Sequence, residues 1–191
     1  MLGQEYQILK DEEIWEIFKS GDQEALGYIF KCNIKVLYKY GNKFSSNGQL
    51  VEDCIQDLFL TIWKNRLNLS STNSIRLYLL GALRKKLIRE STVDQKHHTQ
   101  DILDEKYSFD LQYNPQQVEF NIQTRLSNEK KVIGFLEKLT KRQKEAVYLK
   151  FYQGMDYKEI GHIMELNYQS VRNLVYGSLK SLKQQLSKHS I

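Results

Sequence analysis

The 191-residue sequence has two cysteines, Cys32 and Cys54, and a single proline, Pro115. Two thiols make no disulfide framework, and theirs is no metal-ligand spacing. Both are expected to be buried thiols in a reducing compartment. No run of about 18 apolar residues occurs, so no segment is expected to span a membrane. The opening stretch MLGQEYQILKDEEIW brings acids early and has no apolar core, so no secretory signal is expected and the cytoplasm is the expected location. Glycine is sparse, and Gly41, Gly48 and Gly81 lack the spacing of a phosphate-cradling loop. No Ser/His/Asp or Cys/His arrangement stands at a motif spacing. His97 and His98 with Asp101 and Asp104 can be drawn as a metal site, but such groups scattered through a polar stretch are expected to be solvated. These absences exclude a recognisable enzyme; no catalytic residue, cofactor or metal is expected.

What is present is helical. Hydrophobic residues make up 41% of the chain, enough to build real cores. Apolar residues recur at helical spacing in 11–19 (Ile14, Trp15, Ile17, Phe18) and in 22–40 (Ala25, Leu26, Ile29, Phe30, Ile34, Leu37, Tyr38). The stretch 50–64, LVEDCIQDLFLTIWK, puts Val51, Cys54, Ile55, Leu58 and Ile62 on one face. A Ser/Thr/Asn-rich loop precedes another helix over about 75–89. No strand-period run competes, so the expected class is all-α.

Residues 91–113 are polar, carry both charge signs and show weak periodicity. A loop of that length inside one compact domain is unusual. The expectation is therefore two helical domains, 1–90 and 114–191, joined by a flexible linker over 91–113. The second begins with Asn114 as cap and Pro115 at the first helical position. Its next helix is expected to contribute Ile122, Leu126, Ile133, Leu136 and Leu139.

The formal net charge is +5, and it is unevenly spread. Residues 1–90 hold 13 basic and 11 acidic side chains, residues 91–139 hold 6 and 8, and residues 140–191 hold 9 and 4. The positive field thus lies in the C-terminal quarter, where capping boxes start helices at Thr140–Gln143 and Asp156–Glu159 and Asn167 can cap a third. Gly154 is expected to end the first of these. The other two helices read as a helix-turn-helix: Ile160, Met164, Leu166, Val171 and Leu174 close a core, and Gly161 sits where the helices must touch. Glu165 stands where a glycine would ease the turn. Gln169, Arg172, Asn173 and Tyr176 face outward, with Lys180 and Lys183 continuing the positive side, and can reach base edges or phosphates.

A DNA-binding module leaves the first 90 residues unexplained. There, Glu52, Asp53, Gln56 and Asp57 make one side of a helix acidic, with Phe59 and Trp63 nearby. The following helix carries Arg76, Tyr78, Arg84, Lys85, Lys86 and Arg89. An acidic helix beside a basic, aromatic one suggests two partners, a protein surface and a nucleic acid.

In these stretches the sequence resembles a sigma-70 superfamily RNA polymerase sigma factor of the extracytoplasmic-function group, over nearly its whole length. GDQEALGYIF resembles region 2.1, VEDCIQDLFLTIWKNR region 2.2, SIRLYLLGALRKKL regions 2.3 and 2.4, and LTKRQKEAVYLKFYQGMDYKEIGHIMELNYQSVRNLVYGSLKSL region 4. Tyr78, Lys85 and Leu174 depart from residues common in the family, and with Leu174 on the core side, upstream DNA contact is expected to lean on Arg172. The resemblance implies docking on core RNA polymerase through Asp53, Gln56, Asp57, Phe59 and Trp63. It implies contacts to the −10 element and the melted strand from Arg66, Asn68, Asn73, Arg76, Tyr78, Arg84, Lys85, Lys86 and Arg89. Contacts to the −35 element would come from Gln169, Ser170, Arg172, Asn173, Tyr176 and Lys180. It also implies an inhibitory anti-sigma partner. The rival readings are a free-standing helix-turn-helix regulator, which has no need of the acidic helix, and an enzyme with an appended DNA-binding domain, which would need a catalytic constellation.

Overall fold

A computed structural model of the chain describes residues 5–91, 107–111, 134 and 136–188. The expected helix start at Pro115, the core positions Ile122, Leu126 and Ile133, the His97/His98/Asp101/Asp104 group and most of the linker lie outside the described residues. Every described regular element is helical. The chain divides into two compact units, Met1–Tyr107 and Ser108–Ile191.

The first unit opens with a 3-10 turn, Glu5–Ile8, and holds α1 (Asp11–Lys19), α2 (Gln23–Gly41), α3 (Gly48–Lys64) and α4 (Ile75–Glu90). Side-chain caps fix three starts. Asp22 accepts from the Ala25 N–H at 2.8 Å, Asn47 from the Leu50 N–H at 3.3 Å and Ser74 from the Leu77 N–H at 3.4 Å. The core is the apolar faces turned on one another: Ile14, Trp15 and Phe18 of α1, Ala25, Ile29 and Leu37 of α2, Val51, Cys54, Ile55, Leu58 and Ile62 of α3, and Leu79, Leu80, Leu83 and Leu87 of α4. Gly41 lets α2 and α3 close, because a Cβ there would collide with Val51 Cγ1.

Two side chains of α2 depart from expectation. Cys32 is exposed, and only Cys54 is buried. The buried row of α2 runs Ala25, Ile29, Asn33, Leu37, four residues apart, so Cys32 falls one step outside it. Asn33 on that row is satisfied by donating from Nδ2 to the Ile29 carbonyl at 2.8 Å. Phe30, expected on the core face, is 41% exposed and lies edge-on to Phe59 with ring centroids 5.0 Å apart.

In the second unit, α5 (Lys141–Val147) begins at the Thr140–Gln143 capping box and widens into a π-helical turn over Tyr148–Tyr152. Gly154, at φ +72°, ends it in the left-handed conformation. α6 (Tyr157–Met164) and α7 (Tyr168–Lys188) follow. Phe109 is buried in this unit against Tyr148, at 5.9 Å between centroids, and Asp110 pairs with Lys144 at 3.3 Å.

Candidate nucleic-acid interface

The turn between α6 and α7 has the geometry expected of a helix-turn-helix. Asp156 caps α6, accepting from the Lys158 and Glu159 N–H groups at 2.7 and 2.8 Å, and Glu159 returns a bond from the Asp156 N–H. The Glu159 N–H bond, with that of Lys158 and the positive charge of Lys158 and Lys150, holds the Asp156 carboxyl below its ordinary pKa. Glu165 takes the left-handed conformation at φ 56°, and the Leu166 N–H donates to the Gly161 carbonyl at 2.9 Å. A Cβ on Gly161 would stand 2.6 Å from the Leu166 carbonyl oxygen, so only glycine permits this crossing. Asn167 accepts from the Ser170 N–H at 2.8 Å. Ile160, Met164, Val171 and Val175 are buried at the crossing, while Leu166 and Leu174 are half-buried.

That packing aims one face of α7 at solvent. Gln169, Arg172, Asn173, Tyr176 and Lys180 are exposed, at i, i+3, i+4, i+7 and i+11. Gln169 Nε2 donates to Asn173 Oδ1 at 3.0 Å, which pre-orders two amides for a base edge. Ser170 is half-buried and serves the helix start. Tyr168 stands edge-on to Tyr157 at 5.6 Å and Lys150 lies 4.9 Å over the Tyr157 ring, extending the surface with aromatic and basic groups.

In the first unit, α1 does what the sequence did not announce: it pins the loop between α3 and α4. Trp15 Nε1 donates to the Ser70 carbonyl at 2.9 Å, Ser71 Oγ donates to Glu16 Oε1 at 2.7 Å, and the Ile75 N–H donates to Asp11 Oδ2 at 2.8 Å. The Ser71 hydroxyl, with Lys19, holds the Glu16 carboxyl below its ordinary pKa. An aromatic chain supports this loop: Tyr78 on Trp15 at 4.9 Å, Trp15 on Phe18 at 4.9 Å, Phe18 on Trp63 at 6.3 Å. Arg66 ends it, its guanidinium 4.4 Å over Trp63 and its Nη1 donating to the Trp63 carbonyl at 3.0 Å.

The candidate side chains of this unit divide by environment. Asp53, Gln56 and Asp57 are exposed on α3, but Phe59 is only 7% exposed and belongs to the core, four residues beyond buried Ile55. It offers no free docking surface. Trp63 is half-buried under Arg66. Asn68, Asn73, Arg76, Lys85 and Arg89 are exposed, and Tyr78 is half-buried on Trp15, where burial raises its phenol pKa. Lys86 reaches across to Asp57 at 3.1 Å, so the acidic and basic helices are tied to one another. Arg84 departs most from the expected basic face. It is 3% exposed, with its guanidinium 5.4 Å over the Tyr107 ring. Its position four residues from both Leu80 and Ile88, on the apolar row, is the signal that could have shown this.

A two-unit helical protein with a helix-turn-helix at the end of its second unit is the class this geometry defines. Residues 130–182 match the family model of sigma-70, region 4. No curated protein matches the chain. Among solved structures, CnrH in complex with the cytosolic domain of CnrY is similar at 19% identity and TM-score 0.61, over 94% of this chain and 99% of that one. The sigma factor RpoE of Bartonella quintana, solved with the anti-sigma factor NepR, is similar at 16% identity and TM-score 0.57, over 85% of this chain and 96% of that one. Residues 130–182 thus match sigma-70 region 4, and the chain has the fold of these two solved structures.

Proposed function

We propose that the chain is a sigma factor of the extracytoplasmic-function type, one that joins core RNA polymerase, directs it to promoters and helps open the duplex, with no catalytic step of its own. One observation carries the reading: a region 4 helix-turn-helix is preceded, in the same chain and the same fold, by a unit with an exposed acidic helix against a basic one. In this reading Asp53, Gln56 and Asp57 steer the encounter with a basic surface of the polymerase, and half-buried Trp63 supplies contact area. The exposed face of α7, centred on Arg172, reads the upstream element in the major groove. Asn68, Asn73 and Arg76 on the pinned loop and helix start, with Tyr78, Lys85 and Arg89, engage the melted strand, where ring stacking contributes about 1–3 kcal/mol per base. The likeness to RpoE, solved with the anti-sigma factor NepR, supports an anti-sigma partner, and service to the polymerase implies a cytoplasmic location.

The test is co-elution of the purified chain with core polymerase on a sizing column. Wild type should co-elute, and a variant with Asp53→Lys and Gln56→Lys should not, while its tryptophan fluorescence melting curve stays unchanged. Failure of the wild-type chain to co-elute would overturn the reading.

A further inference from the structure

The loop between α3 and α4, residues 69–74, has little order of its own. Among the described residues, no backbone group of residues 70–73 bonds to another backbone group. Its internal brace is Thr72, whose hydroxyl accepts from the Ser74 N–H at 3.2 Å and donates to the Ser74 carbonyl at 3.1 Å. The other restraints come from α1, 55 to 64 residues earlier in the chain: Trp15 holds the Ser70 carbonyl, Glu16 the Ser71 hydroxyl, and Asp11 the Ile75 N–H just past the loop. Trp15 is fully buried, which anchors the loop in the core of the unit, whereas Asp11 and Glu16 are exposed. Asn73 in the loop and Asn68 at its entrance are exposed too. An amide reads a base edge with one donor and one acceptor, and it selects only if both are held in place. Ordering a loop at the moment of binding costs conformational entropy that is subtracted from affinity, and a loop ordered beforehand spares that cost.

We infer that Asp11 and Glu16, with the Trp15 indole, are positioning residues for base capture. They set the loop in one conformation before a strand arrives, and so fix the amides of Asn68 and Asn73 for the edge of an unpaired base. The inference rests on reading this loop and α4 as the single-strand face. It assigns base selection to the loop as α1 holds it and leaves phosphate attraction with Lys85 and Arg89. The two can therefore be lost separately.

The experiment is binding of the free full-length chain, without polymerase, to fluorescein-labelled strands of about 12 nucleotides, within the footprint of a small single-strand-binding module. The reference strand is abasic throughout. Four others carry one adenine, guanine, cytosine or thymine at the centre, so anisotropy gives the gain from a single base over the bare backbone. Wild type should bind at least one base-bearing strand about fivefold or more tighter than the reference, with unequal gains for the four bases. Asp11→Ala with Glu16→Ala should keep the salt slope on the reference strand, because no phosphate contact is removed, and should lose the greater part of the gain and its differences between bases. Asp11→Asn with Glu16→Gln removes the same two charges but keeps an acceptor oxygen at each bond, and should retain the gain. Ser71→Ala, on the loop side of one bond, should lower the gain and add nothing to Glu16→Ala. Trp15 and Trp63 are the only tryptophans and lie in the first unit, so fluorescence melting checks that each variant is folded. Should the alanine pair unfold, Glu16→Ala and Ser71→Ala singly carry the same expectation. A wild-type chain that gains nothing from any base, alanine variants that keep the full gain, or an amide pair that loses it as the alanine pair does overturns the inference. Polymerase is absent from this assay, so its failure and a failure of co-elution are distinguishable.

Discussion

Gly161→Ala is the sharpest perturbation the fold offers. The added methyl would sit 2.6 Å from the Leu166 carbonyl oxygen and 3.8 Å from Val171 Cγ2. The first contact is with backbone, so no rotamer change relieves it. The turn must move, and it is the turn whose Leu166 N–H bonds to Gly161. Overpacking of this kind costs about 1–3 kcal/mol, and loss of the hydrogen bond adds about 1 kcal/mol. Alanine returns about 1 kcal/mol of helix propensity. The net is about 1–3 kcal/mol, which in a unit of this size corresponds to a melting shift of about 4–24 °C. The assay exploits the placement of tryptophan. Both tryptophans lie in the first unit, so their fluorescence follows that unit, while far-ultraviolet circular dichroism follows helix in both. Gly161→Ala should lower a dichroism transition and leave the fluorescence transition in place. DNA affinity should fall with it, because the same turn aims α7. A variant as stable as wild type, or more stable, would show that propensity alone governs this position and refute the crossing argument.

Gly41→Ala should give the mirror result, since its methyl meets Val51 at the α2–α3 contact: the fluorescence transition falls and the second unit is untouched. Arg172→Ala should weaken specific promoter binding by about 1–3 kcal/mol and relax choice at one position, whereas Lys180→Ala should weaken all sequences alike and reduce the salt slope by about 1, as gel-shift titrations would show. Asp156→Asn keeps the cap but removes its titration. Folding lowers the Asp156 pKa, so its charge contributes stability in full above the unfolded carboxyl value, about 3.9, and the contribution is lost as pH falls through the folded value. Wild type should therefore exceed the Asn variant in thermal stability most at neutral pH, and the gap should close below about pH 4. A gap that is constant with pH would remove the charged cap from the account.

Much of this architecture was legible in the sequence because its determinants are local. The caps at Thr140, Asp156 and Asn167 precede strong apolar periodicity, and Gly161 and Gly154 stand where a crossing and a helix end need them. What was not legible depends on partners distant in the chain. Nothing near Trp15 announces that its indole will hold Ser70, 55 residues away, or that Asp11 will cap a helix beginning at Ile75. Cys32 and Phe59 were misplaced by a single helical step. Arg84 is a different case: the run ALRKKLIR reads as basic by composition, whereas its four-residue spacing puts Arg84 on the apolar row.

The Asp57–Lys86 pair sits where two proposed duties of the first unit meet. It joins α3, the proposed polymerase-docking helix, to α4, the proposed strand-contacting helix, at 3.1 Å with side-chain exposures of 60% and 27%. So exposed a pair contributes little to stability, about 0–1 kcal/mol. Its consequence is for charge: while Asp57 holds Lys86, the lysine is partly neutralised toward a phosphate. Asp57→Asn should therefore leave the fluorescence transition within a few degrees of wild type. Binding of the free chain to single-stranded DNA should tighten and its salt slope steepen, because Lys86 then meets the strand uncompensated. Lys86→Ala in the same background should erase that gain. If Asp57→Asn tightens binding equally with and without Lys86, the effect is a general one of net charge, and the pair does not link the two faces. If the gain requires Lys86, a docking partner that engages Asp57 releases a cation toward DNA, and the two faces of the unit are coupled through one ion pair.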